Sequence, residues 1–143
     1  MARAPFRGSV PDDRLYDADH DMWVRVMDAG VEVGATAFGV FLAGEIIGFT
    51  AKPRGADVTR GRGLGTVECA KTVLAVHSPV SLVLAETNEA AEERPALINR
   101  DPYGAGWMAR GPAVAWEAER DRLVDGAGYR AHVRRLEPQA EFQ

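Results

Sequence analysis

Short apolar runs broken by glycine every few residues begin at Met22, and they constrain the fold more than any other feature of the sequence. Runs of this length, bounded by turn residues, predict β-strands rather than long helices. None of them approaches the ~20 consecutive apolar residues that a membrane-spanning helix requires. The pattern therefore predicts a mostly β domain that does not span a membrane.

The first two runs predict a β-hairpin. Met22 to Met27 and Val31 to Ala35 flank the turn sequence Asp28-Ala29-Gly30. A short helical turn is predicted over residues 34–44. Further strands are predicted over the ranges 45–49, 64–68, 73–77, 80–86 and 106–110.

Helical spacing dominates only after Pro112, although residues 88–94 also predict a short acidic helical turn. Two C-terminal segments repeat their apolar residues at the spacing of one helix face. Those residues are Trp116, Leu123 and Val124 in the first segment and Tyr129, Val133 and Leu136 in the second.

The length of 143 residues predicts one domain, and a hydrophobic content of 46% is enough to build a core. Residues 1–21 are polar and rich in acids, so we predict an extended lead-in there. The domain itself is predicted over residues 22–136 and includes the C-terminal helices. Residues 137–143 are predicted to be a tail.

Charge and cysteine content narrow the possible partners and compartments. The chain has 17 basic and 21 acidic residues, a net charge of −4 that argues against nucleic acid as a partner. Cys69 is the single cysteine, so no internal disulfide can form, and a reducing cytoplasm is predicted. No apolar run follows Arg3 and Arg7, so a secretory signal is not predicted.

Familiar catalytic patterns are missing from the sequence. His20, His77 and His132 lie far apart along the chain, and there is no Gly-x-Ser-x-Gly motif. Neither a hydrolase nor a metal site is therefore predicted.

The two lysines differ sharply in their surroundings. Lys52 precedes Pro53 in a loop, whereas Lys71 lies within Cys69-Ala70-Lys71-Thr72, between two β-prone runs. This placement predicts that Lys71 is displayed at the tip of a hairpin. A lysine so displayed suits a ligase that must reach one amine and attach an acid to it as an amide.

The sequence from Thr66 to Ser81 resembles the lipoylation hairpin of the glycine cleavage system H protein family, in which Glu-Ser-Val-Lys is followed by Ser-Pro-Val-Ser or a close variant. Here the corresponding residues are Glu68-Cys69-Ala70-Lys71 and Ser78-Pro79-Val80-Ser81. Other segments match the family in order, and the resemblance covers roughly residues 16–136. They are His20 to Val24, Gly44-Glu45-Ile46-Ile47, the range 58–63, Asn88-Glu89, the range 95–99, Pro102-Tyr103 and Gly106-Trp107.

The resemblance implies a lipoyl-domain-like β-sandwich, of the hammerhead or barrel-sandwich type, with short C-terminal helices. It implies a carrier rather than an enzyme, with lipoate attached through an amide to Lys71. Glu68, Cys69, Ala70 and Thr72 would be the hairpin residues that partners recognise. Those partners would be a lipoate ligase or lipoyl transferase, a dihydrolipoamide dehydrogenase-like protein and the enzymes of one pathway.

Several positions depart from the family pattern. The family places an aspartate four residues after the lysine, where it can stabilise an aminomethyl cation, and this chain has Ala75 there. The family's His-Glu-Trp is represented by His20-Asp21-Met22-Trp23, with one residue extra. Cys69 replaces a serine and Leu82 a glycine. Cys69 is either a small core residue or a thiol able to exchange with lipoate sulfur.

Three functions remain open from the sequence. The lost aspartate favours a divergent carrier similar to the lipoate-binding proteins of the sulfur-oxidising heterodisulfide-reductase-like pathway. The alternative within the same class is the glycine cleavage component itself, with Asp17, Asp19 or Asp21 replacing the missing charge. A third possibility, from another class, is an unmodified interaction module that uses the loop from Arg54 to Arg62 as its contact.

Overall fold

The computed structural model describes residues 4–143, so Arg3 and the first residues of the predicted lead-in lie outside the described part. Within that part, twelve strands, β1 to β12, follow in chain order. They are Arg7–Gly8, Leu15–Asp17, Met22–Met27, Gly30–Ala35, Ile46–Ala51, Asp57–Val58, Gly63–Cys69, Thr72–His77, Leu82–Val83, Glu86–Thr87, Ala109–Gly111 and Glu141–Phe142. The five α-helices of the same part, α1 to α5, are Ala37–Ala43, Glu89–Glu93, Ala96–Arg100, Trp116–Glu119 and Gly126–Leu136.

The strands form four small sheets. The largest has five strands in the order β10-β11-β4-β3-β2, and a three-stranded sheet has the order β5-β7-β8. Two further pairs are β6-β9, which is antiparallel, and β1-β12, which is parallel. The mostly β, lipoyl-domain-like sandwich predicted from the sequence is confirmed, and no sheet of the described part closes into a barrel.

Strand β3 separates two hydrophobic cores. Two residues of this strand, Met22 and Val24, face the main core, which β3 shares with the three-stranded sheet. Trp23 lies between them and faces a second core, the aromatic core. Alternate residues of a strand point to opposite faces, so three successive apolar residues indicate a strand covered on both sides. The indole of Trp23 donates a hydrogen bond to the carbonyl of Pro102 at 3.0 Å. This bond satisfies the one polar group of the buried ring.

Helix α5 closes the aromatic core. Asp125 caps its first turn by accepting from the Gly128 amide at 2.8 Å, and Tyr129 and Val133 are buried. Leu136, predicted on the same face, is 59% exposed, because the helix ends there, one turn beyond its last buried residue.

The boundaries of the domain differ from those predicted. The predicted lead-in supplies β2, which pairs with β3, and β1, which pairs with β12 from the predicted tail. Phe6, Val10 and Tyr16 are buried in the aromatic core. These apolar residues are isolated in a polar stretch, so no run signals their burial.

The strand predicted over residues 80–86 is divided. Val80, Leu82 and Leu84 are buried as the alternation predicts, but the chain changes partners along this segment. Leu82–Val83 pairs with β6, and Glu86–Thr87 pairs with β11 of another sheet. Alternation reports which side chains are buried and says nothing of which strand supplies the hydrogen bonds.

Candidate functional site: an exposed lysine beside a small cavity

Lys71 lies at the tip of the hairpin formed by β7 and β8. Cys69 and Thr72 are the last paired residues, so Ala70 and Lys71 form a two-residue turn. The side chain of Lys71 is exposed. The predicted display of this lysine is present in the structure.

The turn itself does not require a lysine. Neither Ala70 nor Lys71 has a positive φ, so the turn needs neither glycine nor asparagine. Lysine is depleted in strands and is not a characteristic turn residue. Neither turn geometry nor packing therefore explains this residue type.

The other predicted hairpin residues occupy two environments. Glu68 is exposed on β7, where its cross-strand partners are Gly48 and Val73, and Ala70 and Thr72 are exposed near the tip. Cys69 is only 6% exposed and belongs to the main core. Its thiol therefore packs among apolar side chains, as a small core residue does.

A cavity of about 130 Å³ lies along β8, the edge strand that begins directly after the lysine turn. Its walls come from the turn before β3, from strands β3, β4, β5, β7 and β8, from α1 and from Met108 just before β11. Most of the lining side chains are apolar. They include Met22, Ala35, Val40, Ala43, Ile46, Val67, Leu74, Ala75, Val76 and Met108.

Two histidines form part of the cavity wall. His20 and His77 stack with ring centroids 4.8 Å apart and an interplanar angle of 27°. The Nδ1 atom of His20 lies 2.9 Å from Oδ2 of Asp17, which is 1% exposed, and the Nδ1 atom of His77 lies 2.8 Å from the carbonyl of Gly61. Each ring is thus fixed through one nitrogen.

Asp21 also lines the cavity, and its carboxylate is bound to the C-terminal helix. Its Oδ1 accepts a hydrogen bond from the Tyr129 hydroxyl at 2.7 Å, and burial is the main reason that the pKa of this carboxyl is raised above its ordinary value of 3.8. The hydrogen bond from Tyr129 opposes that shift. Asp21 also has a φ of 55°, which is the left-handed region that aspartate tolerates better than most residues.

Ala75 borders the cavity without supplying any charge. It pairs with Thr66 across the hairpin. Of the three acids that could replace the family's aspartate, only Asp21 lines the cavity. Asp17 is held by His20, and Asp19 is exposed.

Sequence reasoning missed the pairing of His20 with His77. His20 lies in the turn before β3 and His77 lies on β8, far apart along the chain, so no spacing rule connects them. The only local signal is that Asp17 stands three residues before His20, close enough for a side-chain hydrogen bond in a tight turn.

A larger cavity of about 460 Å³ lies elsewhere, between β1, α1 and α3, and includes Phe6 and Tyr103. It contains no residue of β7 or β8. Because the smaller cavity adjoins the lysine hairpin, size does not identify the functional site here.

The arginine-rich loop leaves Arg54, at 66%, and Arg62 exposed. Arg54 lies 3.9 Å from Glu89, and the Nε atom of Arg60 is buried without a hydrogen-bond partner. Among residues 4–143, no group of three histidines, cysteines or acids could hold a metal ion. No helix in this range is long and apolar enough to cross a membrane.

Comparison with known proteins gives consistent matches over most of the chain. The model of the family described as glycine cleavage H-protein matches residues 14–135. A glycine cleavage system H protein of Marinobacter nauticus is 38% identical over 125 residues, covering 87% of this chain and 95% of that protein. One from Mycolicibacterium vanbaalenii is 34% identical over 126 residues, with coverages of 87% and 96%.

The fold has a matching solved structure. The crystal structure of a glycine cleavage system H protein from Mycobacterium marinum superposes with a TM-score of 0.75 at 34% identity. The match covers 85% of this chain and 97% of that one.

Proposed function

Since the chain belongs to the glycine cleavage H-protein family, whose members are lipoate carriers and not catalysts, we propose that Lys71 is its lipoyl attachment site. The observation that carries this proposal is the exposed lysine in the two-residue turn of a hairpin whose strands β7 and β8 contribute to the cavity wall. Lys52, the other lysine, lies outside the hairpin in the loop after β5.

The arm on Lys71 would be long enough to use the cavity. About twelve bonds separate the lysine Cα from the nearer sulfur of a lipoyl group, a reach of roughly 15 Å at ordinary bond lengths and angles. Along β8 each residue advances the chain by ~3.3 Å, which places Ala75 about 13 Å from Lys71. The dithiolane would therefore reach the level of Ala75 and Val76, where the wall is apolar.

A rigid hairpin suits this role because it holds the attachment point while the arm moves. A tethered group visits a docked partner at a high effective concentration without any new contact. Three apolar residues beside the tip are exposed and suit contact with partner proteins: Ile47, Val73 and Leu74. We propose that a lipoate ligase recognises this surface together with Glu68.

The attachment site can be tested by mass. We expect purified wild-type protein, treated with lipoate, ATP and a lipoate ligase, to gain one lipoyl increment. Lys71→Arg keeps the positive charge but lacks the acylatable amine, so it should gain none, whereas Lys52→Arg should be modified as the wild type is. An increment in Lys71→Arg would refute the site, and an unmodified wild type would favour the interaction module.

For the cargo, we propose neutral or sulfur-bearing adducts, as in a sulfur-oxidising heterodisulfide-reductase-like pathway. The support is the absence of an acid at Ala75 and the aliphatic lining of the cavity. An ammonium group placed against such a wall loses hydration without gaining a counter-charge. A cytoplasmic location would suit the free thiol of Cys69.

One observation favours the alternative, which is glycine cleavage with an aminomethyl cargo. Asp21 lines the cavity and could supply a counter-charge when it is ionised. Its hydrogen bond from Tyr129 weakens that support, because an engaged oxygen is less available to a guest.

The two cargoes can be separated with the lipoylated protein. In an assay with glycine decarboxylase, T-protein and dihydrolipoamide dehydrogenase, we expect glycine-dependent reduction of the nicotinamide cofactor to be far slower than with an authentic H protein. Incubation with thiosulfate and the sulfur-pathway enzymes should instead add sulfur mass to the arm. Turnover equal to that of an authentic H protein would assign the chain to glycine cleavage.

A further inference from the structure

The stacked pair of His20 and His77 has a defined protonation pattern. The carbonyl of Gly61 can only accept, so the Nδ1 atom of His77, 2.8 Å away, must carry the proton. The carboxylate of Asp17 also accepts, and it fixes the Nδ1 proton of His20 in the same way. In each neutral ring the remaining nitrogen, Nε2, is therefore a proton acceptor.

Asp17 is fixed in a position from which it can orient the imidazole ring of His20. It is 1% exposed, and its second oxygen accepts from the Asp19 amide at 3.1 Å. A buried carboxylate that holds Nδ1–H of an imidazole selects the tautomer and stabilises the imidazolium that forms when Nε2 takes a proton. Asp17 and His20 thus form a carboxylate–imidazole dyad, of which His20 lines the cavity.

We propose that Nε2 of His20 accepts the proton of a thiol on the reduced lipoyl arm when the arm enters the cavity, with Asp17 as a positioning residue. In this step the S–H bond breaks, its electron pair stays on sulfur, and an N–H bond forms at Nε2. No oxidant or reductant is consumed. The inference rests on the proposed attachment of lipoate to Lys71.

The charged groups around His20 favour this direction. Asp17 faces the ring from β2, Asp21 follows it in the turn before β3, and His77 stacks on it from β8. Asp17 stabilises the protonated ring, and so does Asp21 when it is ionised. His77, with its ring centroid 4.8 Å from that of His20, is the second imidazole at this position.

The stack also has a purely structural interpretation, in which it simply joins the turn before β3 to the edge strand. That role would not need a buried carboxylate on Nδ1 of His20. The two roles predict different thiol chemistry and can be separated.

The experiment compares alkylation of the reduced, lipoylated protein by iodoacetamide across pH 5 to 10, followed by intact mass. We expect the arm to react faster at pH 7 than free dihydrolipoamide does. His20→Gln should slow it roughly tenfold, which corresponds to one unit in thiol pKa. Asp17→Asn should shift the pH profile in the same direction by less.

His132→Gln is the matched control. His132 stacks on Tyr129 at 6.0 Å and does not line the cavity, so its loss should leave the alkylation rate unchanged. If His20→Gln fails to fold, nitrogen NMR of the unmodified wild type gives a second test, since the inference requires Nδ1–H and a bare Nε2 in neutral His20.

The outcomes distinguish this inference from the proposed function. An unlipoylated wild type would refute both, since no thiol would then be presented. A lipoylated wild type whose alkylation rate matches that of His20→Gln would overturn this inference alone. It would also be overturned if NMR placed the proton of neutral His20 on Nε2.

Discussion

The hydroxyl of Tyr129 donates a hydrogen bond to the carboxylate of Asp21 at 2.7 Å, joining the C-terminal helix to the cavity wall. Tyr129 has a single proton to give, so Thr36, also 2.7 Å away, must donate to the tyrosine oxygen. Thr36 in turn accepts from the Gly39 amide and caps α1. Three elements of the fold are therefore coupled through one chain of hydrogen bonds.

Removing the central hydroxyl should destabilise the protein. Tyr129→Phe leaves Asp21 and Thr36 without their buried partner, and we expect a loss of about 1–3 kcal/mol in the free energy of unfolding by urea. The control is Tyr16→Phe, whose hydroxyl donates to the Pro11 carbonyl at 2.6 Å and serves no carboxylate. A loss in Tyr129→Phe no larger than in the control would contradict the coupling.

Asp21 should make stability depend on pH. Because burial raises the pKa of this carboxyl above 3.8, the folded state holds the proton more tightly than the unfolded state. The stabilisation is greatest below the ordinary value and is lost as pH rises through the folded-state pKa. Asparagine tolerates the positive φ, and its amide oxygen can accept the hydrogen bond from Tyr129. Asp21→Asn therefore removes the ionisable group while keeping the backbone conformation and the hydrogen bond.

We therefore expect the free energy of unfolding of Asp21→Asn, relative to wild type, to increase as pH rises from 4 to 7. Urea denaturation at several pH values measures this difference. A constant difference would show that the carboxyl titrates alike in both states.

Restoring the family's acid should change the cargo preference. Ala75→Asp adds a carboxylate at the cavity, on an exposed position of β8, so stability should change by no more than ~0.5 kcal/mol. We expect glycine-dependent turnover in the glycine cleavage assay to rise, because the charge now compensates a cationic guest. Ala75→Asn adds similar volume without charge and should leave turnover low; equal turnover for the two variants would exclude a charge effect.

Glu68 should affect modification rather than stability. Its carboxylate is exposed on β7, the strand that leads to Lys71, and is therefore accessible to a ligase. We expect Glu68→Gln to slow lipoylation, measured by mass at early times, with a change in stability within ~0.5 kcal/mol. Glu117→Gln on α4 is the control for a remote exposed carboxylate, and equal rates for both variants would remove Glu68 from recognition.

The sequence predicts what depends on neighbours along the chain. Alternation and a tight turn were enough to place Lys71 at a hairpin tip, because both strands and the turn lie within fifteen residues of one another. The contact of His20 with His77 could not be predicted, since it depends on how two sheets pack. The burial of Phe6 escaped prediction for the same reason, because its partners come from α1 and the C-terminus.

The short turn at Ala70-Lys71 has a consequence for folding kinetics. Closing it costs little chain entropy, whereas pairing Val33 with Ala109 in the five-stranded sheet must close a much longer loop. We expect the hairpin to be formed in the folding transition state, with a higher φ-value for Val67→Ala than for Val33→Ala. The surface that a ligase must recognise would then exist before the rest of the chain has folded, so attachment need not wait for the native state.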